Sequence, residues 1–152
     1  MSAIQPRLRR RKLTVAAAES CTGGLLAAVL TAHGGSSEFF NGGAVVYSNE
    51  AKTILADVAP DLIHGHGAVS SVVAGALARG ARKRLRAKIG LGITGIAGPG
   101  GATPGKKVGL TYIAVDTDEH SAVKKYEWPY DREGNRLASV GAALDLLEKA
   151  IE

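Results

Sequence analysis

Ser20 and Lys52 are two side chains of this chain whose types and expected places at strand ends would let them share a proton. Ser20 lies in Ala18-Glu19-Ser20-Cys21-Thr22-Gly23-Gly24, and Lys52 closes Val46-Tyr47-Ser48-Asn49-Glu50-Ala51-Lys52. A serine hydroxyl attacks a carbonyl carbon only when a base removes its proton. The four histidines, His33, His64, His66 and His120, fall in expected loops or helix ends, so the usual imidazole base is missing. A lysine amine can replace it once burial or a neighbouring cation lowers its pKa. Lys52 is expected one helical turn beyond a strand end. Tyr47 places a phenol at that end, able to relay a proton or orient the amine.

The residues alone leave rivals open. Ser20 or Thr22 could simply cap the helix that follows. Ser48 stands four residues before Lys52 and would face it across one helical turn. Cys21 offers a thiol that a helix N-terminus would acidify, or only a small packed residue. The backbone N–H groups of Cys21, Thr22, Gly23 and Gly24 could hold an oxyanion or a phosphate. A third segment runs from Gly92 to Gly101 as Gly-Ile-Thr-Gly-Ile-Ala-Gly-Pro-Gly-Gly. Its glycines permit close backbone approach to a ligand, with Thr94, Gly95 and Gly98 as candidate contacts. It matches neither the Walker A pattern nor GxGxxG, and a ligand-free surface turn explains it equally well. His64-Gly65-His66 lacks partner ligands at metal-binding spacing, so no metal site is expected.

These segments need a frame that brings strand ends together. Apolar runs predict strands at Leu13–Ala18, Gly43–Tyr47, Ile89–Ile93, Gly109–Asp116 and Ala122–Trp128, the last two as a hairpin. Helices are predicted from Thr22 to about Ala32, Asn49 to Leu55, and Ser70 (as N-cap) to Arg86. A final amphipathic helix spans Arg132–Ile151, with Leu137, Val140, Leu144 and Leu147 on its buried face. His64 to Val69 reads as loop. The alternation implies an α/β fold: a three-layer α/β/α sandwich around a mixed, mostly parallel sheet of about five strands. Ligand sites of such sheets gather at strand ends.

The chain has 152 residues, 45% hydrophobic and 22% charged, enough for one domain with a real core. Residues 1–12, with Arg7, Arg9, Arg10, Arg11 and Lys12, are expected to form a flexible basic arm ahead of a single domain at 13–152. Arg79 to Lys88 forms a second basic cluster, read as the wet face and C-terminal end of a helix. Aromatics make up only 5%, which argues against base-stacking platforms, so nucleic acid is not an expected partner. The net charge of +5 better suits an anionic small substrate. One cysteine excludes an internal disulfide and suggests a reducing compartment. No apolar run reaches the length of a bilayer span, and the start lacks the apolar core of a secretory signal. A cytoplasmic protein, with no membrane partner, is expected. A short Gly/Ala-rich domain of this kind is also expected to self-associate as a homo-oligomer.

Taken together, the motifs resemble the CinA C-terminal domain family, whose enzymatic members are nicotinamide-nucleotide amidases of the PncC type. The resemblance rests on Ala18 to Gly24, Ser36-Ser37 with Phe40, Tyr47 to Lys52, His66 to Ser70, Gly95 to Gly101, and Lys107-Val108-Gly109. It covers nearly the whole chain from Leu13. It implies deamidation of nicotinamide mononucleotide to nicotinic acid mononucleotide and ammonia, by a Ser-Lys dyad without metal or other cofactor. Carried over by motif, Ser20 is the nucleophile, Lys52 the base, and Tyr47 their assistant. The likeness thereby favours Ser20 over Ser48. Arg132, in the family's Asp-Arg position, becomes a phosphate ligand. Two departures stand out. Family members usually carry a helix before the first strand, which is not legible here, and the N-terminal domain of longer members is not expected within this sequence. A stand-alone amidase is the expectation; a catalytically silent nucleotide- or protein-binding member and a basic nucleic-acid accessory are the alternatives.

Overall fold

The computed structural model describes Met1 and residues 3–152. The elements run α1 (Ile4–Arg10), β1 (Val15–Glu19), α2 (Leu25–Leu30), a 3-10 turn (Ser36–Glu38), β2 (Phe40–Val45), α3 (Asn49–Ala56) and α4 (Pro60–His66). They continue with α5 (Ser71–Arg84), β3 (Ile89–Gly95), β4 (Leu110–Asp116), β5 (Ser121–Glu127) and α6 (Arg132–Ala150).

The five strands lie in the order β2-β1-β3-β4-β5. β1 pairs in parallel with β2 and β3, and the β3–β4 and β4–β5 pairs are antiparallel. Only β4 therefore runs against the other strands. Helices cover both faces, giving the expected mixed α/β sandwich. β1 leads to a neighbour on one side (β2), while β3 lies on the other. The strand order thus reverses between β1 and β3, where an open sheet leaves a crevice at its carboxyl ends.

Alternation along the strands sorts the core. Val15, Ala17, Leu91, Ile93, Ile113 and Val115 pack with Leu8, Leu26, Leu30, Val140 and Leu147 on the α1/α2/α6 face. Ala16 and Ala18 meet Val46, Ala56, Val73 and Leu77 on the other. There β3 carries glycine. A Cβ at Gly90 would run into the carbonyl of Ala78, and one at Gly92 into that of Ala74. The bare strand lets α5 lie directly on the sheet.

The basic arm is corrected to a helix. Ile4 and Leu8, one turn apart, are buried against the core, and Pro6 falls in the first turn, where no intrahelical acceptor is needed. Gln5 donates to the Gly34 carbonyl at 2.8 Å, Arg7 pairs with Glu148 at 3.2 Å, and Arg9 pairs with Glu38. The helix whose absence seemed a departure from the family is present.

Smaller corrections concern boundaries. The second strand is Phe40–Val45, leaving Val46 and Tyr47 beyond its end. Pro60–His66 is helical where His64 onward was expected to be loop, with Pro60 at the first helical position. Leu137 is 53% exposed; α6 buries Val140 and Leu147 as expected, together with Asn135, Ser139 and Ala143. Ser70 caps α5 as expected, its Oγ accepting from the Val73 N–H at 3.3 Å.

Candidate active site

Ser20 follows β1 without a break. Its N–H donates to the Ile93 carbonyl at 3.0 Å, which continues the β1–β3 ladder by one residue. Next to it, the Val46 N–H donates to the Glu19 carbonyl at 2.7 Å and brings the chain into α3 beside the same crevice. Ser48 opens α3, its Oγ accepting from the Ala51 N–H at 3.0 Å. That rival hydroxyl is an exposed helix cap.

Lys52 lies one turn into α3 and is only 2% exposed. Its Nζ donates to the Val46 carbonyl at 2.9 Å and to Ser20 Oγ at 3.3 Å. Among the described residues no carboxylate pairs with it. Burial holds the Lys52 pKa below the ordinary lysine value of 10.5. The structure thus unites a serine hydroxyl and a desolvated amine at hydrogen-bond distance. Cys21 is different: burial pushes its thiol up to about 11, outweighing its own backbone hydrogen bond and the nearby cations. It is poorly suited to be the nucleophile at neutral pH.

A cavity of about 290 Å³ opens over the pair. Ser20, Cys21, Tyr47, Lys52, Thr94, Gly95, Gly98 and Arg132 all line it. At its rim the Arg132 guanidinium donates to the Tyr47 hydroxyl at 2.9 Å and to the Gly98 carbonyl at 2.7 Å. Tyr47 is 57% exposed, so it belongs to the mouth rather than the floor. The Thr94 hydroxyl donates to the Ala68 carbonyl at 2.7 Å and fastens the end of β3 to the segment before α5.

Thr22, Gly23 and Gly24 do not line the cavity. The Gly23 N–H donates to the Ser20 carbonyl, and the Thr22 carbonyl accepts from Arg136 at 2.9 Å. The Gly24 N–H and the Thr22 hydroxyl both donate to Glu19. Their expected part as substrate ligands is corrected to that of a closed turn. Cys21, unlike these three, lines the cavity.

Sequence reasoning missed three contributors. Glu19 was quoted beside Ser20 but given no task. Asn49, the first residue of α3, lines the cavity. Asn135 is buried in α6; its Nδ2 donates to the Ala97 carbonyl at 3.0 Å and its Oδ1 accepts from the Tyr130 N–H. An asparagine three residues beyond Arg132 on one helix face was the available signal for it.

A larger cavity of about 720 Å³ lies between α3 and α4, lined by Ile54, Pro60, Ile63 and His64 among others. It contains neither Ser20 nor Lys52, so size does not mark the reactive site. Among the described residues no group of three or more His, Cys, Asp or Glu side chains could hold a metal ion. No described helix is long and apolar enough to cross a membrane.

The family model for the CinA C-terminal domain matches residues 1–151. A CinA-like protein of Acidobacterium capsulatum is 52% identical over 144 residues, covering 95% of this chain and 35% of the relative. One from Koribacter versatilis is 53% identical over the same coverage. The chain thus spans about a third of the length of these relatives. Among solved structures, the competence/damage inducible protein CihA of Agrobacterium tumefaciens superposes with a TM-score of 0.95 at 38% identity, covering 99% of this chain and 92% of that one. A CinA superfamily protein of Escherichia coli gives 0.94 at 32% identity, covering 98% and 87%. Sequence and fold agree along the whole length, and the chain belongs to the CinA C-terminal domain family.

Proposed function

We propose that this chain is an amidohydrolase that converts nicotinamide mononucleotide and water to nicotinic acid mononucleotide and ammonia. The observation that carries the reading is the buried Lys52 amine, 3.3 Å from Ser20 Oγ and free of any paired carboxylate among the described residues. A charged ammonium in such a place is penalised, so burial favours the neutral amine that can act as a base.

In this reading one Lys52 N–H stays on the Val46 carbonyl while the nitrogen lone pair faces the Ser20 hydroxyl. Ser20 Oγ attacks the carboxamide carbon and its proton moves to Nζ. In this reading the oxyanion so formed is met by the backbone N–H of Cys21, a residue that lines the cavity. Collapse breaks the carbon–nitrogen bond, and Lys52 returns the proton to the departing nitrogen, releasing ammonia. Water then attacks the acyl ester, gives its proton to Lys52, and Ser20 leaves with that proton restored. Arg132 stands at the rim, where N–H groups beyond those held by Tyr47 and Gly98 can meet the substrate phosphate.

The reading of a silent member leaned on a missing first helix, and α1 removes that motive. The nucleic-acid reading leaned on free cations. Arg82 pairs with Asp116 at 2.7 Å and Arg84 with Asp57, so part of that cluster is already engaged. The test is ammonia release from the mononucleotide with a chelator present. Turnover that disappears in Ser20→Ala supports the proposal; an inactive parent protein, or an active Ser20→Ala, removes it.

A further inference from the structure

Every leading N–H group of α2 is already taken. Leu25 donates to the Thr22 carbonyl, while Gly24, Leu26 and Ala27 donate to the Glu19 carboxylate at 3.1, 3.0 and 2.8 Å. The Thr22 hydroxyl adds a fourth donor to Glu19 at 2.6 Å. Glu19 is 2% exposed and pairs with no cation among the described residues. A buried carboxylate is expensive unless its oxygens are met by donors, and here they are. A serine or threonine cap would satisfy such a helix end without burying a charge. The additional consequence of Glu19 lies on the chain between it and the helix.

Thr22 and Gly24 are bound to the same carboxylate oxygen, and Ser20 is pinned at its N–H by Ile93. The stretch Ser20–Cys21 is therefore suspended between two fixed points. We infer that Glu19 is a positioning residue that sets the direction of Ser20 Oγ toward Lys52 and holds the backbone of Cys21 against the cavity. This rests on the reading of Ser20 as nucleophile. It also moves the anion-stabilising duty away from the α2 terminus, whose donors Glu19 consumes, to the turn itself.

Glutamine in place of Glu19 keeps the shape but puts an NH₂ group among backbone donors, so the turn must shift. A displacement near 1 Å at a reacting atom costs about 100-fold in rate. The experiment compares the parent chain with Glu19→Gln and Thr22→Val. The valine variant removes one donor at nearly constant volume and leaves the carboxylate in place. Three readouts are taken on each: kcat and KM for ammonia release, thermal midpoint, and the rate at which an aryl sulfonyl fluoride labels Ser20, located by mass spectrometry. In that labelling the Oγ–sulfur bond forms, fluoride leaves, and the proton passes to Lys52.

For Glu19→Gln, kcat and labelling rate fall together about 100-fold, with KM within about threefold. For Thr22→Val both fall by roughly tenfold while the circular dichroism spectrum is kept. A purely structural role would lower the midpoint and leave both rates of the folded protein unchanged; that result, in either variant, overturns the inference. If Glu19→Gln does not fold, Thr22→Val decides alone. A parent chain that labels at Ser20 yet releases no ammonia sinks the substrate assignment, and the labelling rates still decide Glu19.

Discussion

The turn after β1 and the loop after β3 border the same cavity, and the balance of what holds them differs. Ser20 to Gly24 is fastened chiefly from within a few residues, by the four donors gathered on Glu19, with the Ile93 carbonyl on Ser20 and Arg136 of α6 on the Thr22 carbonyl as added ties. The segment from Ala97 to Gly98 is fastened from α6, more than thirty residues away, through Asn135 on one carbonyl and Arg132 on the next. A local clamp gives a fixed reacting atom. A remote clamp gives a wall whose position depends on how α6 packs, and whose cation also faces the mouth. In our reading the first region serves bond making and the second serves substrate selection.

The sharpest way to break this division is to remove the reacting pair. Ser20→Ala and Lys52→Met each lower ammonia release by on the order of 10⁴-fold or more, measured by a coupled ammonia assay. Lys52→Met also keeps or raises the thermal midpoint, because a buried amine is replaced by an apolar chain of similar length. The sign follows from linkage. The folded-state pKa of Lys52 is depressed, so the unfolded chain binds more protons between that value and the ordinary lysine range. Stability from this residue therefore rises with pH across that window and is lost below it.

Next comes the wall. Arg132→Ala raises KM for the mononucleotide by roughly 10- to 100-fold and changes kcat by only a few-fold, since it removes binding common to ground and transition states. A fall in kcat alone would place Arg132 with the chemistry and merge the two regions. The frame beneath both regions is tested by Leu8→Ala. That variant costs about 2–4 kcal/mol in denaturant unfolding if α1 is packed as described, and nothing measurable if residues 1–12 form a free arm. Smallest of all is Ser48→Ala, which removes the cap of α3 for about 1 kcal/mol and leaves turnover within a few-fold. Strong loss of turnover there would revive Ser48 as nucleophile.

Much of this was legible in the residues. The strand–glycine junctions at Ser20 and Gly95 announce their place because a sheet must deliver them to one edge. Lys52 is readable as a base only because no histidine competes. The α1 helix was hidden because it has just Ile4 and Leu8 as apolar anchors, set among arginines and a proline that composition assigns to a solvated tail. Glu19 was hidden for a different reason. Three of its four donors are backbone N–H groups, which have no letter in a sequence, and only coordinates show that they converge on it with the Thr22 hydroxyl. The Asn135 side chain likewise meets backbone groups, the Ala97 carbonyl and the Tyr130 N–H.

The central claim concerns the charge of one amine, and it can be observed without any substrate. Carbon-13 labelling of lysine and an NMR pH titration of the Lys52 Cε resonance, assigned by its loss in Lys52→Met, reads that charge directly. The account predicts a midpoint below 10.5, with Ser20→Ala perturbing it. A Lys52 that titrates with the surface lysines, indifferent to the Ser20 substitution, would contradict it.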